Sequence, residues 1–109
     1  MTIDKALQVN PEELAWRPDA LRVRGELRLK LGQTGAAETD FRDANALALK
    51  IGAKAWALRA AMSLVRILRG RGNFAEARDL LEPLYSSFSE GFDTADLKDA
   101  KALLDELAE

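Results

Sequence analysis

The amino-acid sequence predicts an all-α fold built from helix–turn–helix repeats. Three observations lead there. Apolar residues recur at helical spacing from residue 18 to the end of the chain. They make up 48% of the 109 residues while aromatic residues are only 6%, and such a Leu- and Ala-rich mix suits packed helices, since strands favour β-branched and aromatic side chains. Finally, Gly32, Ala37, Phe41 and Ala44 are matched forty residues on by Gly72, Ala77, Leu81 and Leu84. The length suits one domain spanning residues 1–109.

Residues 1–17 are expected as a helical lead-in. "TIDKALQV" is a short amphipathic piece, Asn10, Pro11 and Glu13 read as a new helix start, and Trp16 is its anchor. The first repeat covers 18–52. Pro18 suits a first helical turn and Gly32 ends the helix it opens. Ala37, Phe41, Ala44, Ala48 and Ile51 then lie on one face of a second helix, ended by Gly52. The second repeat covers 53–89. Ala57, Ala61, Leu64 and Leu68 form one stripe, with Trp56, Ala60 and Ile67 beside it, and the helix stops at Gly70 and Gly72. Asn73 and Glu76 have the spacing of a capping box, Phe74, Ala77, Leu81, Leu84 and Phe88 stack, and Pro83 is expected to kink this helix.

A capping helix covers 92–109. Asp93, Asp96 and Asp99 at three-residue intervals raise the question of a metal site. They read better as a helix start, with Asp93 as N-cap, Asp96 near the positive end of the dipole and Phe92 stapled to Leu97. An oxygen-ligand site needs more donors in a tighter turn, so no metal and no cofactor are expected. Leu97, Leu103, Leu104 and Leu107 give this helix a broad apolar stripe, expected to pack on the second hairpin.

Composition narrows the function. Without cysteine or histidine there is no thiolate, no disulfide and no imidazole base or ligand. No apolar run nears the roughly 20 residues of a membrane span, and the first residues do not read as a signal peptide, so a cytoplasmic protein is expected. Residues 17–71 hold 12 Lys/Arg against 5 Asp/Glu, whereas residues 72–109 hold 3 against 10. The basic block invites nucleic acid. Yet no aromatic residues interleave with the arginines, and the acidic half would repel phosphates, so no nucleic-acid partner is expected.

Gly25, Gly32, Ala37, Phe41 and Ala44 fall where the tetratricopeptide (TPR) motif has Gly, Gly, Ala, Phe and Ala, and the first repeat resembles that motif. The second matches more loosely through Leu64, Gly72 and Ala77, with Val65 in place of a Gly and Leu68 and Leu81 in place of aromatics. The period of 40 exceeds the motif's usual 34 by six residues, expected as added helical turns around Ala48–Trp56. Arg24 and Arg28 depart from the motif and are expected to snorkel or to pair with acids on the next helix. The stretches "LRVRGELRLKLGQTGAAETDFRDANALA", "GAKAWALRAAMSLVRIL" and "EARDLLEPLYSSFSEGFDTADLKDAKALLDEL" resemble the C-terminal TPR tail of large bacterial signalling ATPases, in which a cyclase-type or DNA-binding domain precedes the ATPase module. No G-x-x-x-x-G-K-[ST] loop occurs here, so no ATPase activity follows.

The resemblance implies a short right-handed solenoid and a non-catalytic, protein-binding role in signalling. By position in the motif, Asp19, Arg22, Glu26, Leu29 and Lys30 would line a concave groove with Arg59, Met62, Arg66 and Arg69. That groove would be basic, suited to a peptide carrying Asp, Glu or a terminal carboxylate, with Met62 as an apolar contact. The same face also reads as a solvated one, with Arg22, Glu26 and Lys30 as an i,i+4 ion-pair ladder. A third reading is a homodimer through apolar surface at Leu21, Leu29 or Trp16, aided by the opposite charges of the two halves.

Overall fold

Three glycines direct the path of the chain. Gly32, Gly52 and Gly72 have φ of 79°, 77° and 80°, a left-handed backbone that only glycine adopts without strain. At each, the glycine N–H donates to a carbonyl three residues back and the next N–H to one five back: Gly32 to Leu29 (3.0 Å) and Gln33 to Arg28 (2.8 Å), with the same pattern at Gly52 and Gly72. This closes the free carbonyls of each helix end. The computed structural model describes residues 17–89 and 94–108. Its five helices are α1 (Arg17–Lys30), α2 (Thr34–Lys50), α3 (Lys54–Gly70), α4 (Phe74–Ser86) and α5 (Ala95–Leu107). Among the described residues there is no strand. The lead-in up to Trp16, with Asn10, Pro11 and Glu13, lies outside them, as do Phe92 and Asp93.

The first four helices are joined by three-residue links, so consecutive helices run antiparallel. Each link is followed by an alanine with no exposed surface, Ala37, Ala57 or Ala77, whose N–H bonds the carbonyl of the last link residue. A small side chain lets the incoming helix lie close to its predecessor. α2 and α3 each run 17 residues, and the link between them falls at 51–53, inside the stretch where added turns were expected.

α3 packs against all four other helices, and α1 and α5 flank it on either side. Ser63 Oγ donates to Glu26 at 2.7 Å and Arg59 Nε to Asp96 at 2.9 Å, and Arg69 pairs with Glu106. Every one of these contacts spans 37 residues. α1, α3 and α5 therefore lie side by side in one direction, and α2 and α4 form a second layer. Phe41, Leu58, Leu64, Leu68, Leu81 and Leu107 fill the core between the layers.

Two features tie α1 to α2. Gly25 faces the Phe41 ring so closely that a Cβ on it would lie 2.6 Å from Cε1 and 2.9 Å from Cδ1. Asp40, only 1% exposed, takes Arg24 through both oxygens (3.2 and 2.7 Å) and Arg28 at 3.2 Å. These are the expected pairings with acids of the second helix.

The helix starts differ from expectation. Asn73 caps α4 by position but makes no side-chain bond to it, and Glu76 bonds Arg42 instead of closing a capping box. The cap of α5 is Thr94, one residue past the expected Asp93, with Oγ1 accepting from the Leu97 N–H. Asp96 is drawn to Arg59. α5 packs on α3 and α4 through Leu97, Ala100, Leu103 and Leu107. Pro83 lies inside α4, which ends three residues later.

Candidate partner-binding face

The face formed by α1, α3 and α5 carries most of the residues that sequence position assigns to a groove. Their surroundings differ. Arg22 turns back along its own helix to Asp19 (Nη2–Oδ1 3.0 Å), and Glu26 accepts the Ser63 hydroxyl across the helix interface. The expected Arg22–Glu26–Lys30 ladder is therefore not formed. Met62, expected as an apolar contact for a partner, is 4% exposed and belongs to the core. Arg59 and Arg69 are matched by Asp96 and Glu106 of α5.

Lys30 and Arg66 remain. Both are exposed, and neither makes an ion pair or hydrogen bond among the described residues. Arg66 borders a hollow of about 320 Å³ whose walls are Leu29, Thr34, Ile67, Gly70 and Arg71. Arg71 is engaged elsewhere, holding Glu38 at 2.6 Å. The hollow thus offers apolar walls and one uncompensated guanidinium at its edge, a combination suited to an apolar side chain next to a carboxylate.

A second hollow of about 380 Å³ lies in the other layer, between α2 and α4 around Leu49, Leu80, Pro83 and Leu84. Its cation, Lys54, donates to the Ser87 carbonyl at 3.0 Å and stands 5.8 Å from the Phe88 ring centre. It offers an anion little.

Across the α2–α4 side runs a chain of alternating charges. Arg71 bonds Glu38, Arg42 bonds Glu38 at 2.9 Å, and Arg42 also bonds Glu76 at 2.9 Å. The Arg42 hydrogen bond, followed by that of Arg71, holds the Glu38 carboxyl below its usual value. Glu76 and Glu38 in turn raise Arg42 above its own.

Ser63, Asp96 and Glu106 were not read from sequence as partners of the groove residues, yet they decide which of those are free. Their signal is polar or opposite-charge pairs spaced 37 residues apart. No protein-family model matches the chain, and neither does a curated protein or a solved structure. No helix among the described residues is long and apolar enough to cross a membrane.

Proposed function

We propose that this chain is a non-catalytic protein-interaction module of TPR-like repeats, serving a bacterial signalling system in the cytoplasm. In this reading α1–α2 and α3–α4 are two repeats of a short right-handed solenoid, and α5 stands in the place of the next first helix. The recurrence of one glycine link and one contact spacing along the chain supports it. The bound partner is a peptide segment that places an apolar side chain between Leu29 and Ile67 and a carboxylate on Arg66, with Lys30 adding to the positive field.

The observation that carries this reading is Arg66: an exposed guanidinium with no acid opposite it, beside an apolar hollow, on a face whose other α3 arginines are matched. The test is calorimetric titration with a synthetic peptide rich in Glu and Leu, against a Lys- and Leu-rich control. Saturable binding of the acidic peptide, weakened by salt and reduced about tenfold or more by Arg66→Glu, is expected. Equal affinity for both peptides, or indifference to Arg66→Glu, overturns the reading.

A further inference from the structure

We propose that the outer edge of α1 is a two-fold pairing surface through which two copies of this chain associate. The two ends of the three-helix layer differ. At the α5 end the outward residues are Lys98, Lys101 and Asp105, all exposed, with Lys101 paired to Asp105. That edge is finished for water. At the α1 end Val23, Leu27 and Leu31 are 41, 53 and 72% exposed. They stand at steps of four, so they form one stripe along the helix, and Leu31 extends it because its N–H still bonds the Leu27 carbonyl. Leu21 and Leu29, the residues first suspected of forming an apolar edge, are turned inward against the core instead.

Charge on the stripe's margin selects the occupant. Asp19 and Lys30 are eleven residues apart, close to three full turns, so both border the same edge of the stripe, one near each end. Lys30 has no partner among the described residues. Asp19 engages Arg22 through Oδ1 alone. When two copies of α1 meet antiparallel about a two-fold axis near Gly25, Val23 of each lies opposite Leu27 of the other. Asp19 of each then lies opposite Lys30 of the other. A parallel meeting would set this margin against the opposite one, so Asp19 and Lys30 would not meet. A pattern complementary to its own reversal is what an isologous interface requires. On the opposite margin Arg24 and Arg28 are turned to Asp40. This surface shares only Lys30 with the peptide site, whose anchor is Arg66, so either proposal can fail without the other.

Sedimentation of the full chain across a wide concentration range tests it. A species of about twice the 12.0 kDa chain mass is expected, and salt should weaken it. Leu27→Glu removes two leucines from each interface and should weaken pairing by roughly a hundredfold or more, with unchanged helicity, and with an unchanged melting temperature at concentrations where the parent is itself monomeric, because the side chain is outside the core. Asp19→Lys should weaken it as well, and the exchange Asp19→Lys with Lys30→Asp should restore it. A monomer at every concentration overturns the proposal, whatever then covers the stripe. So does a dimer indifferent to Leu27→Glu, or a charge exchange that fails to restore what Asp19→Lys removes.

Discussion

Replacing Gly25 by alanine sets two effects of known size against each other. Within a helix, alanine is about 1 kcal/mol more favourable than glycine. Gly25 is well inside α1, so propensity alone forecasts a more stable protein. The structure forecasts the opposite. The new methyl would lie 2.6 and 2.9 Å from two carbons of the Phe41 ring, and Phe41 has no exposed surface through which to move away. Overpacking of this kind costs typically 1–3 kcal/mol. A rigid ring met by two contacts below 3.0 Å belongs at the upper end, which leaves a net loss of about 2 kcal/mol after the propensity gain. For a domain of this size each kcal/mol moves the melting temperature by roughly 4–8 °C, so thermal unfolding followed by circular dichroism should show a fall of about 8–16 °C. Phe41→Leu, which shortens the side chain at the contact, should recover part of that loss, and a double-mutant cycle should show coupling between the two positions. If Gly25→Ala is as stable as the parent or more so, α1 and α2 are not held at the distance the ring dictates.

Two further changes probe the charged contacts. Asp40→Asn removes the charge from a buried carboxylate shared by two arginines; breaking such a pair costs about 3–5 kcal/mol when fully buried, and here about 2–3 kcal/mol is expected in urea unfolding, because the Arg28 side chain is 34% exposed and can turn to water. An unchanged midpoint would show that Asp40 does not hold the hairpin. Acid should also act through Glu38, whose carboxyl is held below the usual 4.5 by Arg42 and Arg71. A depressed folded value means that the unfolded chain binds the proton more readily, so this contribution is full above pH 4.5 and is lost as pH falls through the folded value. Glu38→Gln should flatten the decline of stability between neutral and acid pH, and an identical decline in both proteins would remove Glu38 from the account.

Much of the architecture was legible because it rests on steric rules that leave marks in sequence. A left-handed residue after a helix asks for glycine, and a close crossing asks for alanine, so the links at Gly32, Gly52 and Gly72 could be read directly. Gly25 and Phe41 were read as motif positions, and their contact came from the structure. The capping details were not legible, since an acid at a helix start has more than one suitor. Glu76 had the right spacing to cap α4, but Arg42 stands opposite and takes it. Met62 was placed on the outer face by its position in a motif, yet ten of the 17 residues of α3 are buried. A helix enclosed by four neighbours has apolar residues on nearly every side, and periodicity cannot say which side is wet. The groove charges were obscured differently. The four matched positions recur at 40 residues, whereas facing side chains are 37 apart, so the acids opposite Arg59 and Arg69 fell outside that alignment.

The central place of α3 also governs how the protein opens over time. Amide protons exchange only when a segment comes loose, and segments with few packed neighbours come loose first. Among the described residues α1 and α5 each have a flank that no other helix covers. α3 is locked from four directions and can release its protons only when the whole molecule unravels. Fluctuation is therefore expected first at the two edges of the described helices, where the surfaces proposed for pairing and for capping lie, while the middle helix keeps the slowest clock.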